Sequence, residues 1–218
     1  MICLVTDRRR LSTGADAADR LVDLAGCAGA AGVDLIQIRE RDLEGRALAD
    51  LVSRCLIAVR GTATQVVVND RIDIVAATDA HGVHLRADSI NVAAARTLLG
   101  DAALVGRSIH RVDEVPAASR GANYLIFGAL YQASSKAPGH QTVTLNELRS
   151  ACDAAGGVPV LAIGGMTLDR AVEVARAGAA GIAGIGLFVP PPGVPADRHL
   201  QNVTARVRRS FDTCGAVP

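Results

Sequence analysis

At 218 residues and 22.4 kDa the chain is long enough for one well-buried core, and with 50% hydrophobic but only 2% aromatic residues that core must be Val, Ile, Leu and Ala, as in parallel strands covered by helices. Lys and Arg total 23 against 22 Asp and Glu, a formal charge of +1 with no basic block or aromatic ladder, so nucleic acid is not an expected partner. The cysteines Cys3, Cys27, Cys55, Cys152 and Cys214 are scattered and never form a CxxC pair, and no apolar run reaches the roughly 18 residues of a membrane span. These features favour buried thiols over a metal site or disulfide frame, speak against a membrane span, and lead us to expect a soluble cytoplasmic protein.

Ile2 to Thr6 is the first apolar run, and the Ala-rich stretch Asp16 to Ala31 has helical spacing up to Gly32. Leu35 to Ile38 is followed by Leu43 to Val59, where Leu48, Leu51, Val52 and Cys55 recur at three- and four-residue steps. Gln65 to Val68 leads through Asn69-Asp70 into a short helix, Gly82 to Leu85 into a helix over Asn91 to Leu99, and Leu104 to Ser108 into one over Asp113 to Ser119. Tyr124 to Phe127 precedes a polar loop, Gln132 to Thr142, and then a helix over Leu145 to Ala155. Val158 to Ile163 breaks at Gly164-Gly165, the pattern Leu168 to Arg176 is helical, Gly181 to Ile185 ends at Gly186, and a last helix covers Ala196 to Phe211.

Eight strand-helix units with short connections predict an α/β fold, a single (β/α)8 TIM barrel over residues 1–218 with a frayed tail at 213–218. An open sheet with a helical extension is the alternative. Pro190 to Pro192 and Pro195 read as a stiff bridge to the last helix. Val158 to Ile163 and Gly181 to Ile185 become strands 7 and 8, and the glycines behind them, with a helix starting near Thr167, form a phosphate cup.

Catalytic groups of such barrels gather at the carboxyl ends of strands. There the sequence places Thr6 and Asp7, Gln37, Arg39 and Arg41, Asn69 and Asp70, Arg86, Asp88 and Ser89, Ser108 and His110, and Ser134, Ser135, Lys136 and His140. Cations facing phosphate-cradling glycines suggest an anionic ligand, with two phosphate-bearing parts. Gln37 and Arg39, two apart on a strand, point to one side, as ligand contacts or as a structural hydrogen-bond pair. Asn69-Asp70 supplies oxygen ligands for Mg2+ or a helix N-cap. Lys136 suits an anion or merely solubilises its loop. His110 and His140 are candidate acid-base groups or ordinary loop histidines, Arg86 has no evident partner, and His84 reads as a packed strand residue.

The strings Gln37-Ile-Arg39-Glu-Arg41, Asn69-Asp70-Arg71, Gly82-Val-His84-Leu, Gly106-Arg-Ser108-Ile-His110, Tyr124 to Gly128, Ser135-Lys136 and Ala162-Ile-Gly-Gly165 together resemble the thiamine phosphate synthase and thiazole tautomerase family, in order over nearly the whole chain. The synthase joins hydroxymethylpyrimidine diphosphate to a thiazole phosphate and releases diphosphate, with Mg2+. The resemblance implies that Gln37 contacts the pyrimidine and that Arg39, Asn69 and Lys136 meet the diphosphate, with Arg41 and Ser135 as further substrate-binding candidates. It places Mg2+ on Asp70, Ser108 near the reacting centre, and the thiazole phosphate on Gly165, Ile185 and Gly186; Asp88 is the neighbouring substitute for a second metal ligand, Gly164 a further substrate contact, and Lys136 and His110 are further catalytic candidates.

The departures are Arg41 for a lysine, Ser89 for the second metal aspartate, Ala133 to Lys136 for a Thr-x-Thr-Lys motif, and Gly186 for a serine. Arg41, Ser89, the GRSIH string and Gly165-Met-Thr-Leu-Asp-Arg170 resemble the tautomerase branch, which needs no metal, yet that branch's histidine falls at Ala129, so that His110 or His140 would have to replace it. Three readings stand: a synthase acting on small phosphorylated pyrimidine and thiazole substrates, a metal-independent tautomerase of carboxythiazole phosphate, and a non-catalytic phosphate-ligand binder. A homo-oligomer is left open.

Overall fold

The computed structural model describes residues 1–132 and 142–214. The strands β1 (Ile2–Val5), β2 (Leu35–Ile38), β3 (Gln65–Asn69), β4 (Gly82–Leu85), β5 (Leu104–Ile109), β6 (Tyr124–Gly128), β7 (Val160–Ile163) and β8 (Gly181–Gly184) run parallel, each paired with the next. The sheet closes where β8 meets β1, with Ile2 beside Ile182 and Leu4 beside Gly184. The Met1 ammonium donates to the Ala180 carbonyl at 2.6 Å along the same seam. This closure rules out the open sheet.

The helices α1 (Ala17–Ala30), α2 (Gly45–Ala58), α3 (Ile72–Ala77), α4 (Val92–Leu99), α5 (Val115–Ala118), α6 (Leu145–Ala154), α7 (Leu168–Arg176) and α8 (Ala196–Cys214) lie outside it. Successive strand residues point to opposite faces, and the burial follows that period. Ile2, Leu4, Ile36, Ile38, Val66 and Val68 pack under the helices, while Cys3, Val5, Leu35, Val67, Tyr124, Ile126, Leu161 and Ala183 fill the barrel. Inward positions one step further along the strands are therefore Gln37, Asn69, His84 and Ser108, which carries the polar residues to the barrel mouth.

Helix starts follow local chemistry. Thr144 and Glu147 form a capping box at α6, the Thr144 hydroxyl accepting from the Glu147 N–H at 3.2 Å and the carboxylate accepting from the Thr144 N–H at 2.7 Å. Asn91 caps α4 through the Ala94 N–H at 2.8 Å.

Most element ends shift by one or two residues from the sequence expectation, and three differences have more to say. β7 begins at Val160 rather than Val158, because Pro159 has no N–H for the ladder and uses only its carbonyl, to the Leu125 N–H at 2.8 Å. The expected helix over Asp113 to Ser119 is a 3-10 turn, Val112–Glu114, followed by one turn of α-helix carrying Pro116. α8 continues through Cys214, so Thr213 and Cys214 are helical where a frayed tail was expected. Among the described residues no helix is long and apolar enough to cross a membrane.

Candidate active site

A cavity of about 850 Å3 opens at the carboxyl ends of the strands. Its β7 wall is Gly164, Gly165 and Met166, and its β8 wall is Gly184, Ile185, Gly186 and Leu187. Gly164 and Gly165 have φ of +105° and +54°. A Cβ at Gly165 would stand 2.6 Å from the Gln132 carbonyl oxygen, and one at Gly164 2.6 Å from the Ala129 Cβ, so both conformation and space demand glycine. Thr167 then caps α7, accepting from the Arg170 N–H at 3.3 Å, which brings the positive end of that helix to the turn. After β8 the chain enters a 3-10 turn, Gly186–Phe188. Both exits are thus backbone-lined, as an oxyanion cup requires.

Two arginines to which the sequence gives no site role stand at this cup. Arg170 stacks 4.2 Å above the Tyr131 ring and donates to the Gly165 carbonyl. The Tyr131 hydroxyl donates to Glu173 at 2.6 Å, and burial followed by the Glu173 charge pushes that phenol up to about 12. Arg10, two residues past Arg8, lines the cavity, and its Nη1 lies 3.4 Å from where a Cβ on Gly186 would be. A serine at position 186 would press on that guanidinium. The signals were present: Arg170 is a cation in the first turn of a helix, where the dipole disfavours it, and Arg8 to Arg10 is an arginine run directly behind a strand.

The opposite wall comes from β2, β3 and β4. Gln37 donates through Nε2 to Asn69 Oδ1 at 2.9 Å, so its structural partner is Asn69, not Arg39. Thr6 organises the end of β2, accepting from the Arg39 N–H at 2.9 Å and donating to the buried Glu40 carboxylate at 2.7 Å, which also takes Arg8 at 2.9 Å. The Arg39 guanidinium, half-buried and lining the cavity, makes no hydrogen bond or ion pair among the described residues. Burial lowers its pKa, the Arg41 charge adds to that, and Arg86 contributes in the same sense while Asp7 and Glu40 oppose it. Like charges have been brought together on this wall.

The floor is a hydrogen-bonded chain. His84 is buried, with Nδ1 3.1 Å from the Tyr124 hydroxyl and Nε2 2.8 Å from Ser108 Oγ. Burial, aided by the Arg107 charge, lowers its pKa to about 3, so the imidazole is neutral and acts as a fixed support for Ser108. The packed-histidine reading was right about burial but gave no sign of this contact. His110 donates through Nδ1 to the Gly128 carbonyl at 2.5 Å, leaving Nε2 to the cavity. Ala129 lines the same wall, where the tautomerase branch carries its histidine.

Gln37, Arg39, Arg41, Asn69, Asp88, Ser108, His110, Gly164, Gly165, Ile185 and Gly186 are all brought to this one cavity. Ser134, Ser135, Lys136 and His140 lie outside the described residues. Asp70 opens instead on an adjoining recess of about 210 Å3 beside Glu40, Arg41 and Arg86. It does not cap α3, whose N-cap is Arg71. Its φ of +64° turns the carboxylate toward β4, where Oδ1 accepts from the Ser89 hydroxyl and Oδ2 lies 3.6 Å from Arg86 Nη1.

Mg2+ usually takes one or two carboxylates with waters and substrate phosphates. Arg86 bridges Asp70, which the resemblance assigns to the metal, and Asp88, the substitute for the missing second ligand, reaching Asp88 Oδ2 at 2.5 Å with its other terminal nitrogen. Among the described residues no three His, Cys, Asp or Glu side chains converge as a metal group. As arranged, Asp70 and Asp88 do not fit an Mg2+ held between them, because a guanidinium stands there.

Comparison with known proteins places this geometry. The sequence profile of the family described as thiamine monophosphate synthase matches residues 2–188. A thiamine-phosphate synthase of Roseiflexus castenholzii is 34% identical over 208 residues, covering 94% of this chain and 89% of the relative. One from Chlorobium luteolum is 38% identical over 184 residues, 84% and 82% of the two chains. The solved structure of a thiamine phosphate pyrophosphorylase from Pyrococcus furiosus superposes with a TM-score of 0.78 over 98% of this chain and 96% of that one, at 24% identity, and so attests the fold. With a profile match over most of its length and relatives of this identity and coverage, the chain belongs to the thiamine monophosphate synthase family.

Proposed function

We propose that this chain is a thiamine phosphate synthase, a transferase that couples hydroxymethylpyrimidine diphosphate to a thiazole phosphate and releases diphosphate. One observation carries the reading beyond family membership. A single cavity holds a glycine cup on its β7 and β8 side and a guanidinium wall on its β2 to β4 side, with Ser108 on the floor between them. A reaction that joins two phosphorylated parts uses both halves; isomerisation of one thiazole phosphate uses only the cup.

In this reading the cup and the start of α7 hold the thiazole phosphate, with Arg10 and Arg170 as flanking cations. Gln37, fixed through Asn69, orients the pyrimidine, and Arg39 and Arg41 receive the diphosphate. The C–O bond between the pyrimidine methylene and diphosphate breaks, its electron pair leaving with the diphosphate. The thiazole nitrogen then donates its lone pair to the cationic methylene and forms the C–N bond. The guanidiniums stabilise charge that grows on the leaving group, and they do so without reorganising because their wall is already assembled. Ser108, held by neutral His84, lies where the two parts meet. The unpaired state of all five cysteines supports a reducing, cytoplasmic setting.

The test supplies purified protein with both substrates, in Mg2+ and separately in EDTA, and measures thiamine phosphate by chromatography. Product in either condition is expected. Intact binding of both substrates without product in either would sink the reading.

A further inference from the structure

Arg86 follows β4 in the inward register of Gly82 and His84, and it is held at its backbone and at its guanidinium. Its backbone N–H donates to Ser89 Oγ at 2.9 Å, and its guanidinium spans Asp70 and Asp88. The loop around it is pinned from β5, where Arg107 donates to the carbonyls of Ala87 at 2.8 Å and Ile90 at 2.5 Å. Arg86 also lines the main cavity on the wall that carries Arg39 and Arg41. A divalent cation between Asp70 and Asp88 would have to expel this guanidinium and stand beside three positive charges. An anion meets the opposite situation, since each guanidinium that repels its neighbours gains when a polyanion arrives.

We propose that the Arg86 guanidinium binds the diphosphate group in place of the Mg2+ that the family resemblance implies, so that this chain takes diphosphate without a divalent metal. The proposal rests on the synthase reading for its ligand, but binding tests it apart from turnover. Asp70 and Asp88 act as positioning residues, aiming Arg86 rather than holding a metal, and Ser89, where a second metal aspartate is expected, supplies the hydroxyl that orients Asp70.

Inorganic diphosphate is the probe, titrated calorimetrically into the full chain in EDTA and in excess Mg2+. The two dissociation constants are expected to agree within about threefold, and Arg86→Met to weaken binding in EDTA about thirtyfold, with Arg86→Lys between them. Diphosphate binding by the unaltered protein only when Mg2+ is present overturns the proposal. So does an Arg86→Met variant that binds as tightly as its parent in EDTA. Should that variant fail to fold, the comparison of EDTA with Mg2+ on the unaltered chain decides by itself. Thiamine phosphate formed only with Mg2+, alongside Mg2+-dependent diphosphate binding, leaves the synthase reading standing and removes this one. Metal-free diphosphate binding lost in Arg86→Met, with no product in any condition, does the reverse.

Discussion

The two halves of the cavity hold anions by different means. The β7 and β8 half is made of backbone: positive-φ glycines, a capped helix start and a 3-10 turn, with Arg170 and Arg10 around the edge. Its shape is set when the barrel closes and depends little on any one side chain. The β2 to β4 half is made of long side chains, Arg39, Arg41 and Arg86: Asp70 and Asp88 aim the Arg86 guanidinium, while Thr6 fixes the backbone N–H of Arg39 and leaves its guanidinium to the cavity. A backbone cup keeps its ligand through sequence drift, whereas a side-chain wall can exchange one cation for another. The departures from the family pattern at Arg41 and Ser89 fall on the wall, and the one at Gly186 falls on the cup beside Arg10.

The largest effect is expected beneath both halves, at the floor they share. The unfolded chain binds a proton on His84 near its ordinary value of 6.5, which the folded chain refuses until about 3. Stability is therefore unaffected above pH 6.5 and falls as pH drops through that window, by about 1.4 kcal/mol per unit from this group. Urea unfolding at pH 7, 6, 5 and 4 should show that slope, and His84→Gln should flatten it. An unchanged slope in the variant would mean that other groups carry it.

Separating the halves comes next. Gly165→Val forces a β-branched residue into φ +54° against the Gln132 carbonyl, a strain of about 1–3 kcal/mol, and should weaken thiazole phosphate binding about a hundredfold while diphosphate stays within about threefold. Arg39→Met should do the converse, costing diphosphate about thirtyfold through a lost charge-assisted contact and sparing thiazole phosphate. If either variant moved both ligands equally by calorimetry, the division into cup and wall would fail. The smallest effect is expected from Arg170→Met, which removes a support of the Gly165 carbonyl but no strand or turn. It should raise the dissociation constant for thiazole phosphate about fivefold, with diphosphate unchanged.

Much of this was legible before any coordinates. The eight strands, the helices between them and the glycine exits follow from apolar periodicity and breakers, which act within a few residues of chain, and the structure moves element ends by one to three positions, at β7 because Pro159 cannot join the ladder. Parity along a strand also put Gln37 and Arg39 on one side. The sequence by itself thus determined the barrel, the cup and the list of polar residues at the strand ends. It could not determine partners that come from different strands. That Asn69 rather than Arg39 holds Gln37, that His84 supports Ser108, that Arg10 approaches Gly186 and that Arg86 stands between Asp70 and Asp88 depend on how far the strands are rotated and staggered around the closed sheet. The Gln37–Asn69 and His84–Ser108 hydrogen bonds join residues 32 and 24 positions apart, and only the pairing and stagger of the strands bring such partners within range, which is why tertiary structure alone decided what occupies the place expected for a metal.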